Sequence, residues 1–89
     1  MNEERFYEIF EIEDFSMNMM KGDNAWQGLQ IIAKYIDPLK NDIICGADHD
    51  VIYSVGVNEI IDAGITEDDA IELRNLNWMA PDGYLACFV

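Results

Sequence analysis

The 89-residue chain sets eighteen Asp and Glu against five Lys and Arg, a net charge of −13. Hydrophobic residues make up 51% of it and aromatics 11%, which excludes an acidic disordered tail and implies one small domain, a core inside a carboxylate shell. Such a field repels nucleic acid and favours strongly basic surfaces, many of which exist to hold nucleic acid.

Residues 2–14 predict a first helix. Asn2 can cap it, and Glu3 and Glu4 suit the positive end of the dipole. Phe6, Ile9 and Phe10 share one stripe with Glu13, and Glu4, Glu8 and Glu11 share another. A strand over 7–15 is the rival reading, but a 3.6-residue period fits more positions. Residues 15–23 read as a connection with Phe15, Met17, Met19 and Met20 at its apolar start and a turn at Gly22. A second helix is expected over 25–36, capped by Asp23 or Asn24 and stopped by Asp37-Pro38. Its buried stripe would be Ala25, Leu29, Ile32, Ala33 and Ile36.

The pattern then changes. Residues 42–47 and 51–56 read as strands, with Asp48-His49-Asp50 as a short hairpin loop. Val57 to Ala63 predicts a short helix with Gly64 behind it. A further helix over 66–76 has Thr66 as N-cap, Asp69 three residues on, and acids through its first turn. Ala80-Pro81-Asp82-Gly83 is a turn sequence. The strand over 84–89 is apolar on both faces and so belongs in the middle of an antiparallel sheet. The expected fold is α+β: a three-stranded antiparallel sheet packed against two to three helices, in one domain spanning 1–89.

Cys45 and Cys87 lie in apolar, strand-like runs and are expected to be buried free thiols. No basic start followed by an apolar run precedes them, and no stretch has the length of a membrane span. The chain is therefore expected in a reducing cytoplasm.

Motifs for chemistry are scarce. Asp48-His49-Asp50 offers one imidazole and two carboxylates, short of the three or four converging ligands that zinc needs, and turn chemistry explains the same residues. Ser16 and Ser54 lack elbow glycines, and no phosphate-binding glycine loop or calcium-loop spacing occurs. No cofactor, no metal and no catalysis are expected. The acids, by contrast, fall in two patches. One is Glu3, Glu4, Glu8, Glu11, Glu13 and Asp14; the other is Glu59, Asp62, Glu67, Asp68, Asp69 and Glu72. Duplex DNA carries about one charge per 1.7 Å of axis, so a net charge of 13 matches about 22 Å of duplex.

The segments 29–35 (LQIIAKY), 47–53 (ADHDVIY), 76–78 (LNW) and 83–89 (GYLACFV) resemble a group of short acidic phage and prophage proteins. In size and charge these are similar to DNA-mimicking inhibitors of host defence, anti-CRISPR proteins among them. The resemblance implies a non-enzymatic inhibitor, monomeric, in the cytoplasm of a bacterial host. Its partner would be a basic nucleic-acid-binding protein such as a subunit of a CRISPR effector complex. Charge clustering alone places the contact residues: Glu4, Glu8, Glu11, Glu13 and Asp14, with Asp62, Glu67, Asp68, Asp69 and Glu72 as a second patch. Two other readings stay open. One is a binding module anchored on the Met cluster, Trp26 and Tyr7; the other is a small enzyme or metal protein centred on His49.

Overall fold

The computed structural model describes residues 1–11 and 23–88. In chain order these form α1 (Glu3–Glu11), α2 (Asn24–Ala33), β1 (Gly46–Asp48), β2 (Val51–Gly56), α3 (Val57–Asp62), α4 (Glu67–Asn75), β3 (Trp78–Met79), a 3₁₀ turn (Pro81–Gly83) and β4 (Tyr84–Phe88). The class is α+β, as the sequence predicts. The sheet, however, has four antiparallel strands in the order β1-β2-β4-β3, where three were expected. The missed strand, β3, is two residues long, too short to display an alternation.

Local chemistry sets the helix starts. Asn2 caps α1: its Oδ1 accepts from the amide of Arg5 at 2.8 Å. Asp23 caps α2 by accepting from the amides of Ala25 and Trp26. Thr66 Oγ1 accepts from the amide of Asp69 at 3.2 Å and caps α4. Gly64, at φ 95°, follows α3, where its amide donates back to the Ile61 carbonyl. The expected ends were longer. α2 stops at Ala33, and residues 34–36 continue as a turn before Pro38. Residues 12–22 lie outside the described residues, and with them the expected end of the first helix and the methionine cluster.

Two hairpins make the sheet. β1 and β2 join through His49-Asp50, with Asp48 already paired to Val51, so the loop is two residues where three were expected. His49 takes φ 55° there. β1 also begins later than expected. Ile43 lies outside the ladder, although its carbonyl accepts the hydroxyl of buried Ser54. β3 and β4 pair Trp78 with Cys87 and Met79 with Ala86. The turn between them places Asp82 and Gly83 at φ 44° and 85°, and the Tyr84 amide donates to the Pro81 carbonyl. Two successive positive φ values are the mark of a primed hairpin turn, for which Asp-Gly is well suited.

One face of the sheet meets the helices. Trp78 and Cys87 stand opposite each other on that face, and both lie against α2. The Trp78 indole donates to the Asn24 carbonyl at 3.1 Å, and the Asn24 amide group lies 3.1 Å from Cys87 Sγ. The core joins Phe6 and Ile9 of α1, Leu29 and Ile32 of α2, Ile60 of α3, Leu73 of α4 and Leu85 of β4. Burial pushes the Cys87 thiol up to about 11, helped by the nearby Asp23 and opposed by the Asn24 hydrogen bond. Cys45 departs from its expected burial. It sits exposed beyond the paired end of β1, and both thiols are free. No helix among the described residues is long and apolar enough to cross a membrane.

Candidate acidic interface

Ten of the sixteen Asp and Glu residues among the described residues lie on three helices, and Asp23, Asp37, Asp42, Asp48, Asp50 and Asp82 lie elsewhere. α1, α3 and α4 together carry Glu3, Glu4, Glu8, Glu11, Glu59, Asp62, Glu67, Asp68, Asp69 and Glu72. α1 packs against both α3 and α4, because Phe6, Ile9, Ile60 and Leu73 share one core. The two acidic patches, distant in sequence, are thereby adjacent.

Arg5 is the joint between them. Its Nε donates to Glu67 Oε1 at 2.9 Å, a second nitrogen also reaches Glu67, and a third reaches Glu8 at 3.3 Å. These contacts hold the guanidinium pKa above its ordinary value, Glu67 contributing most. Arg5 thus neutralises part of the repulsion that would push α1 off α4. Glu4, Glu8 and Glu11 remain exposed on α1, as do Asp62 on α3 and Glu67 and Asp68 on α4. Glu13 and Asp14 lie outside the described residues.

Two other acids of the second patch, Asp69 and Glu72, face a different neighbour. Asp69 is half-buried, and its carboxylate accepts from Lys34 Nζ at 2.8 Å and from the Tyr35 hydroxyl. The Lys34 and Tyr35 hydrogen bonds hold Asp69 below the usual aspartate range, and Asp69 in turn raises the Lys34 pKa. Glu72 borders a shallow groove with Gln27, Gln30, Ile31 and Lys34. Asp69 therefore ties α4 to the end of α2, and Glu72 lies beside a lysine. Glu3, Glu59 and Glu72 are exposed as well, so the exposed array is Glu3, Glu4, Glu8, Glu11, Glu59, Asp62, Glu67, Asp68 and Glu72, with only Asp69 withdrawn from it.

Along α1, Glu3, Glu4, Glu8 and Glu11 stand at successive axial steps of about 1.5, 6 and 4.5 Å, an uneven row of anions along about 12 Å of helix. Arg5 offsets one of them.

His49 lies exposed in the β1–β2 turn, and no group of three or more His, Cys, Asp or Glu that could hold a metal occurs among the described residues. Of the alternative apolar anchors, Trp26 is 60% exposed beside a groove lined by Leu29, Ala33, Pro38, Ile43 and Ile44. Tyr7 is half-buried and meets Phe6 edge-on. Sequence reasoning missed the Arg5 joint and the Lys34–Asp69 pair, since neither leaves a local signal. No protein-family model, curated protein or solved structure matches the chain.

Proposed function

We propose that this protein is a non-enzymatic DNA mimic whose α1–α3–α4 face occupies a basic nucleic-acid-binding cleft on a host protein. The class of target implied by the resemblance of the sequence is a CRISPR effector complex at its DNA-reading site. The observation that carries the reading is the merging of two acidic segments into one helical layer, with Arg5 as their shared counter-ion. Each exposed carboxylate would stand for a phosphate, accept charge-assisted hydrogen bonds from Lys or Arg, and steer association through the field of the whole molecule.

The test combines capture with competition. Protein partners bound from a bacterial lysate at low salt are identified, and the purified partner is challenged for duplex DNA. Glu4→Lys/Glu11→Lys/Asp68→Lys spares the acids bound by Arg5 and Lys34. It is expected to weaken competition at least about a hundredfold, with Tm unchanged or raised by the lower net charge, because several charge-assisted contacts of about 1 kcal/mol each become repulsions. Competition by the wild type should itself fall steeply with salt. Undiminished competition by the triple variant would sink the reading. The exposed Trp26 groove supports a second reading, an apolar docking module. Trp26→Ala would then abolish capture, and salt would leave it unchanged.

A further inference from the structure

The face of the sheet turned away from the helices carries a groove that the acidic array does not use. Tyr53 stands opposite Ala86, two residues along β4 from Tyr84, so both tyrosines project to the same side. Between them lies a groove of about 500 Å³, bounded also by Cys45, Gly46 and Asp82. Tyr84 is 51% exposed and Tyr53 half-buried. Gly46 is opposite Tyr53 on β1. A β-carbon there would lie 3.9 Å from Tyr53 Cδ2, so the glycine leaves the side of that ring open. The Asp82-Gly83 turn brings Asp82 into the lining of the groove. On the same side, Phe88 and Val51 face each other across β4 and β2, with Phe88 61% exposed and Asp48 next in the row.

Two aromatic faces and one carboxylate, on a molecule of charge −13, complement a cation with an apolar flat surface. The arginine guanidinium is that cation: planar, weakly hydrated, able to stack on a ring and to pair with a carboxylate at once. A lysine ammonium has neither the plane nor the weak hydration. A second copy of this chain fits poorly, because it brings the same negative charge and only five basic residues.

We propose that this groove takes an arginine side chain from an extended segment of a partner protein, with the guanidinium against Tyr53 and Tyr84 and paired to Asp82. An apolar residue of the same segment rests on Phe88 and Val51. The surface is separate from the helical array and stands or falls without it.

The test titrates the full chain, followed by backbone amide shifts at about 0.15 M salt, with the peptide acetyl-Val-Ala-Arg-Ala-Val-amide and its Lys and Gln counterparts. Shifts should centre on residues 45–46, 53 and 82–84. The Gln peptide should bind about tenfold more weakly, since it loses the stacking and the ion pair together. Tyr84→Ala should cost about tenfold, and so should Gly46→Ile, which fills the groove at unchanged charge. Asp82→Asn keeps the turn chemistry and should weaken the Arg peptide while leaving the Gln peptide unaffected. Unchanged Tm in Asp82→Asn and Gly46→Ile separates a lost site from a lost fold. The proposal is overturned by shifts confined to α1 and α4, by equal affinity for the Arg and Gln peptides, by wild-type binding in the groove variants, by no shift at millimolar peptide, or by self-association that covers this face.

Discussion

A β-carbon on Gly28 would sit 2.0 Å from Nε1 of Trp78 and 2.2 Å from its Cε2. That is far inside contact distance, and a strand-bound indole held by a hydrogen bond to the Asn24 carbonyl has little room to retreat. Helix propensity alone favours Ala over Gly by about 1 kcal/mol at such a position. Packing reverses the sign. Gly28→Ala is expected to destabilise the fold by about 2–3 kcal/mol, as overpacked cores do. Urea unfolding measures it, and a variant as stable as the wild type would mean that α2 and β3 are not packed this closely. The two cysteines show the same dependence on surroundings. Equally apolar flanks leave Cys45 exposed at the sheet edge, while Cys87 is sealed between Asn24 and the core. Burial raises both thiols, Cys87 further.

At the scale of elements, the α2–α4 contact rests on a polar latch. Tyr35 donates to Asp69 and accepts from the Thr66 amide at 3.3 Å, and Lys34 pairs with Asp69 at 2.8 Å. The Asp69 carboxylate is held below its ordinary value of 3.8, so its contribution is complete above that pH and is lost as pH falls through the lower folded value. Stability should therefore drop on acidification below about pH 4. Asp69→Asn should cost about 1–2 kcal/mol at pH 7, most of it from the charged hydrogen bonds, and should flatten the acid limb. Parallel pH–stability curves for variant and wild type would remove the latch from the account. The helices themselves were legible from sequence because their signals are local. Asn2, Asp23 and Thr66 bond to amides two or three residues away, and Gly64 turns within the next residue. β3 was not legible, because Trp78-Met79 becomes a strand only by pairing with Cys87 and Ala86.

For the whole molecule, charge opposes folding and drives the proposed binding. A net charge of −13 within extents of 35 × 29 × 22 Å places most carboxylates within a low-salt Debye length of one another. Raising ionic strength from about 0.01 M to about 1 M shortens that length from roughly 30 Å to roughly 3 Å. Tm should rise over this range, by about 4–8 °C for each kcal/mol of repulsion relieved, while capture of a basic partner weakens. Thermal scans across the salt series decide it. A falling Tm would mean that the Arg5 and Lys34 ion pairs outweigh the surplus of negative charge.

Sequence by itself determined the α+β class, the helix starts, the hairpin at 48–51, the Asp82-Gly83 turn and the acidic character of α1 and α4. All of these follow from interactions within about four residues or from composition, which a chain carries wherever it folds. Tertiary structure alone decided that the two acidic segments meet. Arg5 reaches Glu67 across 62 residues of sequence, and Tyr35 reaches Asp69 across 34. It also decided that Asp69 serves α2, that Cys45 is open to solvent, and that Tyr53 and Tyr84 share a groove. Such pairs depend on which faces the shared core of Phe6, Ile60, Leu73 and Leu85 brings together, and no local pattern encodes that choice.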